Sequence, residues 1–347
     1  MSKVTMKDVA KKAGVSVATV SNVLNNIDNK ANEVTQKKVL KAVKELNYQM
    51  DMTARSLSVG KSNLIGIFLP EVFSSGRPTS VLKDNPFFGE IISGIEYEAR
   101  MQGYEIMITC VKSEQHVHEL VNKRMLDGIA LLGMHDDKFW SSVKALPIPK
   151  VLIDSYEHEA YGFSKVGTDD EEGAYLGTKH LIALGHTHIA FVSGSITESE
   201  VNAKRYQGFL RAIRDSNLNL ADCPSILTDV NFKGGIMAGH MLINSNAHVT
   251  AAFAVADIMA LGLIKIFHQI GKQVPRDLSV VGFDDLSVCE YSFPGLTTVR
   301  QDIYRKGLEV ARLLIGSIQG EEVGKNLKLP VELVIRETAI PYKAGGQ

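Results

Sequence analysis

The sequence predicts an N-terminal all-α head with a helix-turn-helix, followed by a two-lobed α/β core with parallel sheets. The first indication is charge: residues 1–62 carry eleven Lys and Arg against five Asp and Glu, a net +6, whereas the remainder carries 27 against 34, a net −7. The second is hydrophobic periodicity, which is helical in the head but alternates between apolar runs and helical patterns in the core. The third is the length of 347 residues, which suits a small domain joined to a larger one.

The composition limits the classes of protein to which the chain can belong. It is 45% hydrophobic and 22% charged, which is typical of a globular protein. The sequence has no run of 18 apolar residues and no signal-peptide pattern, so we expect a cytoplasmic protein without a membrane partner. The three cysteines (Cys110, Cys223 and Cys289) are far apart and odd in number, which predicts neither a disulfide framework nor a metal site.

The head begins with the signals of two short helices. Thr5 stands three residues ahead of Asp8, which is the capping-box pattern, and Gly14 permits the turn that ends the first helix. Ser16 can cap a second helix over residues 17–24. The apolar stripe of this second helix consists of Val20, Val23 and Leu24. The face away from that stripe is small or polar and consists of Val17, Ala18, Ser21 and Asn22. This arrangement predicts a helix-turn-helix whose second helix is free to enter a major groove.

A third helix is predicted from about Thr35 to about Asn47, with apolar residues on one face and lysines on others. We therefore place the head at residues 1–50, a hinge at 51–62 and the core at 63–347. A basic head on an acidic core is typical of a nucleic acid-binding domain joined to a separate binding domain.

Two sets of apolar runs predict two lobes in the core. The first set covers residues 64–69, 105–110, 128–132 and 150–153, and the second covers 189–193, 251–255 and 279–282. Such runs between amphipathic helices indicate parallel sheets that are covered on both faces. We place one lobe at about residues 63–165 with 296–326, and the other at about 166–295 with 327–347.

Polar side chains follow the predicted strands, where ligands of parallel α/β sheets bind. Asp154, Asp257, Asp284 and Gln301 occupy such positions, and Arg205 lies early in a predicted helix. Fixed charged donors and acceptors inside a cleft suit a polyhydroxylated ligand. Aspartates at strand ends also cap the next helix, and for Asp257 the two roles are equally expected. Further aromatic candidates for stacking on a ligand are Phe87, Phe88 and Phe232.

The head contains a long, ordered motif: Thr5-x-x-Asp8-Val9-Ala10-x-x-Ala13-Gly14-Val15-Ser16-x-Ala18-Thr19-Val20-Ser21. This motif resembles the head of the lac repressor and purine repressor (LacI/GalR) family of bacterial transcriptional regulators, and the resemblance extends over the whole chain. It implies a core like the periplasmic sugar-binding proteins, a homodimer, and double-stranded operator DNA as a partner.

The resemblance also implies roles for residues of the head and hinge. The base-contacting positions are those of Val17, Ala18 and Asn22. The other positions implied to contact DNA are those of Thr5, Ser16, Thr19, Ser21, Asn25, Thr35, Ala54 and Leu57, with Leu57 as a wedge in the minor groove. Three departures are present: many relatives have arginine at the position of Asn22, and proline and asparagine at those of Met50 and Asp51.

In the core, the resemblance implies that Arg205 and Asp284 hold the hydroxyls of a small sugar effector with help from Asp154 and Gln301. Asp257 and Phe232 complete the expected effector-binding set. Ala256 stands where relatives commonly have a polar residue. The segment at residues 71–85 is longer than is usual in the family. It either shapes the specificity for the effector or is a loose loop. The sequence leaves open whether the effector induces or represses.

The sequence offers less support for other functions. The sequence shows no catalytic or nucleotide-binding motif, so we expect no enzyme and no cofactor. The pairs His116-x-His118 and His186-x-His188 come without a third ligand, which favours surface or turn histidines over a metal site. The remaining alternative is a catabolite-type regulator that is controlled mainly by a phosphoprotein partner.

Overall fold

The computed structural model describes residues 4–24, 31–49, 60–70, 72–74, 77–79, 81–133, 137–156, 162–245, 248–322 and 324–343. The chain divides into two compact units, Met1–Ser62 and Asn63–Gln347. Among the helices of the described ranges, none is both long and apolar enough to span a membrane.

The first unit contains three helices, α1 (Met6–Ala13), α2 (Val17–Leu24) and α3 (Glu33–Glu45). The Thr5 hydroxyl donates to Asp8 Oδ2 at 2.7 Å, and Gly14 ends α1 with a φ of 67°. The Thr19 amide donates to Ser16 Oγ at 3.0 Å, which starts α2. These caps and the buried core confirm the predicted helix-turn-helix. The core side chains are Val9, Ala10, Val20, Val23, Val39 and Ala42.

The third helix begins two residues earlier than predicted. Asn32 precedes it, and the Asn32 Oδ1 atom accepts from the Thr35 amide at 2.9 Å. Thr35 therefore lies inside the first turn, because the capping side chain and not the first apolar residue sets the start of the helix.

The second unit begins with lobe 1, which has a six-stranded parallel sheet. Its strands, in spatial order, are β13 (Asn326–Leu329), β7 (Ser164–Thr168), β6 (Lys150–Ile153), β5 (Gly128–Leu132), β1 (Leu64–Pro70) and β4 (Glu105–Val111). The helices of lobe 1 are α5 (Pro86–Met101), α6 (Glu114–Arg124), α7 (Asp137–Lys144) and α13 (Ile303–Ile318). In the segment at residues 71–85, the described residues form a hairpin of β2 (Val72–Ser74) and β3 (Arg77–Thr79), followed by α4 (Val81–Asp84).

Lobe 2 has a second six-stranded sheet, in which only the edge strand β14 is antiparallel to its neighbour among the described pairings. Its strands, in spatial order, are β14 (Val331–Val334), β12 (Thr297–Gln301), β11 (Ser279–Asp284), β10 (Ala251–Ala254), β8 (Ile189–Ser193) and β9 (Ser225–Leu227). Its helices are α8 (Asp170–Ala183), α9 (Glu200–Asp215), α10 (Phe232–Asn244), α11 (Asp257–Gln269) and α12 (Val288–Tyr291). The two sheets confirm the predicted two-lobed α/β core.

The chain passes between the lobes at points that differ from the predicted boundaries of 165/166, 295/296 and 326/327. β7 belongs wholly to lobe 1, so the first crossing follows residue 168. β12 was expected in lobe 1 but pairs with β11 in lobe 2, and β13 was expected mostly in lobe 2 but pairs with β7 in lobe 1. The partner of a strand depends on ladders between distant segments, which local hydrophobic patterns do not contain.

In lobe 1, α5 and α13 cross with their backbones in close approach. A Cβ atom on Gly94 would lie 2.2 Å from the Tyr304 carbonyl oxygen, and one on Gly307 would lie 2.2 Å from that of Ile91. Both glycines are therefore required by backbone atoms that no side-chain rotation can move aside.

We predict that Gly94→Ala lowers the free energy of unfolding of the core by about 1–3 kcal/mol, because an added methyl group must push α5 away from α13. Urea unfolding followed by circular dichroism measures the change. Gly89→Ala is the matched control in the same helix: its Cβ atom meets nothing within 4 Å, so it should be neutral or stabilise by about 0.5–1 kcal/mol. Equal effects of the two substitutions would contradict the prediction.

Candidate functional site

The helix-turn-helix presents most of the predicted DNA-contacting residues on one side of α2. Val17 is 41% exposed at the start of the helix, and Ser16 and Ala18 are exposed beside it. Thr19, Ser21 and Asn22 are partly exposed, whereas Val20 and Val23 are buried against the head. The predicted base-contacting and phosphate-contacting side chains therefore share the accessible face of α2.

The other predicted DNA contacts are placed differently. Thr5 is exposed but its hydroxyl is engaged by Asp8, and Thr35 is partly buried in the first turn of α3. Asn25, Ala54 and Leu57 lie outside the described residues, as do Met50 and Asp51. Their roles stay predictions.

In lobe 2, Arg205 is buried where helices α8 and α9 pack closely against each other. A Cβ atom on Gly208 would lie 2.0 Å from the Glu171 carbonyl oxygen, so the glycine lets α9 contact α8. This contact brings Arg205 Nε to 2.7 Å from Asp170 Oδ1, and the guanidinium lies 3.6 Å from the centre of the Phe283 ring. Arg205 also donates to the Val255 carbonyl oxygen. Arg205 and Gly208, which are one helix turn apart, thus both lie at the contact between α8 and α9.

Gln301 connects Arg205's lobe to the opposite lobe. Its side-chain amide donates from Nε2 to Asp284 Oδ1 at 2.6 Å, and its Oε1 atom accepts from the Thr168 hydroxyl at 2.9 Å. Asp284 Oδ1 lies 3.9 Å from Arg205 Nη1. Gln301 ends a lobe 2 strand and Thr168 ends a lobe 1 strand, so this amide spans the point where two crossing segments meet.

Lys306 continues the same network into lobe 1. Its ammonium group donates to Gln301 Oε1 at 2.7 Å and to Asp154 Oδ1 at 2.6 Å. Asp154, Arg205, Asp284 and Gln301 were predicted from the sequence, and the structure brings all four into one connected set.

Tyr156 closes the network beside the first crossing. Its hydroxyl contacts both the Thr168 carbonyl oxygen, at 2.8 Å, and the Asp170 carboxylate. Its amide donates to Glu200 Oε2 at 2.6 Å. Tyr156 follows a lobe 1 strand, whereas Asp170 and Glu200 belong to lobe 2, so these bonds hold the two lobes together next to Arg205.

The backbone is strained at the ends of strands β6 and β11. Asp154 has a φ of 52° and Asp284 a φ of 120°, a region that residues with side chains rarely adopt. Such conformations cost on the order of 1–3 kcal/mol and cluster at binding sites. Burial raises the pKa of Asp284 to about 8, with a further contribution from Asp257, and burial also raises the pKa of Asp154.

Asp257 does not belong with the predicted effector contacts. It is fully buried, and its two carboxylate oxygens accept from the Leu286 amide at 2.9 Å and the Thr298 hydroxyl at 2.5 Å. Burial raises its pKa to about 7. The carboxylate is occupied in fastening β12 to the segment after β11, so its role is structural. Phe232 begins α10 and is 37% exposed, and its predicted contact with a ligand stays a prediction.

Four residues of the network were missed by the sequence-based prediction: Tyr156, Thr168, Asp170 and Lys306. For Lys306 a signal exists, because it lies on the apolar face of α13 with Ile303 and Val310, where a lysine is out of place. For the other three, the sequence pattern contains no comparable signal.

One histidine of each pair, His186 and His118, has clear structural partners. His186 is buried, and its ring nitrogens contact the Thr250 hydroxyl at 2.9 Å and the Ile340 carbonyl oxygen at 3.1 Å. It therefore follows the turn at Leu184 and Gly185 as a buried residue with structural partners. His118 Nε2 contacts Ser142 at 3.1 Å. Within the described ranges, no three His, Cys, Asp or Glu side chains converge on a metal position.

We predict that the free energy of unfolding of the core falls as the pH rises from about 5 to 8. Asp284 and Asp257 keep their protons in the folded chain up to about pH 8 and 7, whereas unfolded aspartates lose theirs near pH 4. The folded state then binds more protons than the unfolded state, and each group contributes a slope of at most about 1.4 kcal/mol per pH unit.

Urea unfolding at several pH values measures this slope. Asp284→Asn should make the slope clearly shallower, while the exposed Asp222→Asn should leave it as in the parent chain. A parental slope in Asp284→Asn would show that Asp284 titrates normally.

Comparison with known proteins agrees with this geometry. Residues 5–51 match the family model "Bacterial regulatory proteins, lacI family", and residues 178–339 match "Periplasmic binding protein-like domain". The transcriptional repressor PurR of Vibrio vulnificus is 35% identical over 344 residues, covering 96% of this chain and 98% of that protein.

Solved structures show the same architecture. The lac repressor dimer bound to operator and the anti-inducer ONPF has a TM-score of 0.85 at 28% identity, and the match covers 98% of this chain and 100% of that one. A LacI family regulator from Enterococcus faecium with bound ribose has a TM-score of 0.71 at 30% identity, covering 81% and 100%. The chain therefore belongs to the lacI family of bacterial regulatory proteins and is a DNA-binding transcriptional repressor controlled by a small-molecule effector.

Proposed function

We propose that the effector of this repressor is a carbohydrate bound between the lobes against Arg205, Asp284, Asp154 and Gln301. The observation that carries the proposal is the buried hydrogen-bond network in which these four side chains, from both lobes, are already joined. A ligand that bonds to both ends of this network changes the free energy of one lobe arrangement relative to another, which is what control by an effector requires.

The alternation of donors and acceptors along the network suits a polyol. Arg205 and Lys306 donate only, the aspartates accept when ionised, and Gln301 does both. Each hydroxyl of a sugar is likewise both donor and acceptor, so a ring with several hydroxyls can satisfy such a set. The structural relative with bound ribose supports a carbohydrate. In a purine base, the alternative that the purine repressors of this family raise, each polar ring atom is fixed as either a donor or an acceptor, and the two faces are aromatic.

On the DNA side, we propose that the front of α2 enters the major groove. The Asn22 amide can pair with adenine N6 and N7, and Val17 or Ala18 can contact a thymine methyl group. We assign the hydroxyls of Ser16, Thr19 and Ser21 to phosphate contacts, which orient the helix without selecting sequence.

We propose a homodimer that binds a near-palindromic operator. Lobe 1 exposes Tyr97 and Met101 on α5 beside Tyr304 of α13, with 6.4 Å between the centres of the two tyrosine rings. Lobe 2 exposes Met237 and Met241 on α10. Apolar side chains grouped in this way are typical of surfaces that are covered in an assembly. Control chiefly by a phosphoprotein partner is not favoured, since solved structures that match over 97–98% of this chain contain a small molecule, ONPF in one and cellobiose in another.

We predict that Arg205→Lys keeps operator affinity but raises the sugar concentration needed to change operator binding by at least about tenfold. Lysine retains the charge opposite Asp170 but lacks the planar fork that can hold two oxygens at once. Operator DNA is first obtained by selection from a random pool, and fluorescence anisotropy then follows the complex during titration with uncharged sugars and with hypoxanthine.

Arg211→Lys is the matched control, because Arg211 lies on the same helix but pairs with Glu171 and Glu172 on its outer side. It should respond like the parent chain. An Arg205→Lys variant with an unchanged sugar response would overturn the cleft assignment, and a parent chain that responds to hypoxanthine but to no sugar would overturn the carbohydrate class.

We also predict that Asn22→Ala relaxes the operator at one base-pair position of each half-site. Loss of a bidentate contact removes about 1–3 kcal/mol of discrimination there. Sequencing of operators selected with each variant reveals the position. Ser21→Ala should weaken all operators alike. If the position paired with Asn22 is an invariant guanine in the parent selection, the adenine contact is wrong.

A further inference from the structure

Lys306 is a charged side chain in a place where the helix pattern calls for an apolar one. It lies in the first turns of α13 and is 1% exposed, among the largest fully buried side chains of the described core. Its Nζ atom lies 5.6 Å from the centre of the Phe87 ring, at the start of α5. A buried ammonium group is costly unless it is paired and hydrogen-bonded, so its presence requires a reason.

The contacts of Lys306 account for two of its three N–H groups. One donates to Asp154 Oδ1 and another to Gln301 Oε1, at 2.6 and 2.7 Å. Among the described residues, no third acceptor bonds to the ammonium group. One N–H group of Lys306 therefore remains as a donor. It lies next to an acceptor, the Asp154 carboxylate, and the Phe87 ring lies beside both groups.

The charges around this surface define what it can accept. Two buried carboxylates have a cation at hydrogen-bond distance: Asp154 has Lys306 at 2.6 Å and Asp170 has Arg205 at 2.7 Å. For Asp284 the nearest recorded cation is Arg205 at 3.9 Å. Burial keeps the Asp284 carboxyl group protonated near neutral pH, so the two cations are matched by the carboxylates of Asp154 and Asp170. A ligand carboxylate or phosphate would therefore be buried here without an uncompensated cation to pair with, which is costly.

We propose that Lys306 is a specificity-determining residue that restricts the effector to an uncharged sugar. Its remaining N–H donates to one oxygen of the sugar, while the Asp154 carboxylate that it holds in place accepts the hydroxyl of the neighbouring carbon. This inference rests on the proposed carbohydrate control and adds the charge class of the ligand and the residue pair that enforces it. Phosphorylated sugars and sugar acids are excluded.

The test is isothermal titration calorimetry on the full chain with D-ribose, D-galactose and cellobiose, and with ribose 5-phosphate and galactose 6-phosphate as charged partners. At least one uncharged sugar should bind, and its phosphate ester should bind at least about tenfold more weakly. The variant Lys306→Met with Asp154→Asn removes both charges together, so neither partner is left buried and unpaired. It should bind the same sugar about 10- to 100-fold more weakly, which corresponds to the loss of charge-assisted hydrogen bonds.

Lys150→Met is the matched control. Lys150 begins β6, the strand that leads to Asp154, but its ammonium group donates to the Leu146 and Ile148 carbonyl oxygens. Its affinity for the sugar should equal that of the parent chain. Should the double variant fail to give a cooperative thermal transition, Lys306→Gln replaces it, which keeps a donor without the charge and should weaken sugar binding about tenfold.

The outcomes separate this inference from the proposed function. A sugar affinity within twofold of the parent in the Lys306 variant overturns the role of Lys306, while carbohydrate control stands. Equal or tighter binding of a phosphate ester overturns the uncharged class, again with carbohydrate control intact. If no sugar of either kind binds the parent chain, the carbohydrate proposal fails and this inference fails with it.

Discussion

The buried pair of Arg205 and Asp170 is the interaction on which the rest of the polar network between the lobes depends. The guanidinium lies over the Phe283 ring and donates to the Val255 carbonyl oxygen, and it lies 3.9 Å from Asp284 Oδ1. One residue thereby touches the ends of two strands and the start of one helix in lobe 2. Removal of either partner leaves a buried charge unpaired, which is strongly destabilising. The Arg205–Asp170 pair therefore provides rigidly held polar groups, against which we propose that the ligand binds.

Around that pair, the three crossings between the lobes bring polar groups together that no single lobe contains. Thr168 and Gln301 end the strands that precede two of the crossings, and their side chains bond directly. Tyr156 and Lys306 extend the contacts into lobe 1. Because these bonds join segments of both lobes, a ligand bound as we propose would favour one arrangement of the lobes over another. Positive φ values at Asp154 and Asp284 show that the backbone accepts strain in order to aim these carboxylates.

The residues that could be predicted share one property, a position relative to a regular element. Asp154 and Asp284 follow apolar runs, so the rule for strand ends was sufficient for them. Arg205 lies early in a helix, and its role was expected from the resemblance to the LacI/GalR family. Asp257 satisfied the same rule but has a structural role. The rule predicts which edge of the sheet a residue lies at, but it does not predict how deeply its side chain is buried. Lys306 escaped prediction because its apolar helix face suggested packing, and its partners are distant in sequence.

Sequence alone determined the class of both units: caps, turn glycine and apolar spacing define the helix-turn-helix, and alternating strands and helices define an α/β core. These are short-range properties, set by hydrogen bonds and side-chain periodicity within about one helix turn or one strand. Only the tertiary structure decided which sheet receives β12 and β13, which aspartate faces the cleft, and which cation neutralises which carboxylate. Those outcomes depend on burial and on distances between residues as far apart as Asp154 and Lys306, where a few ångströms decide whether two charges stabilise or destabilise the fold.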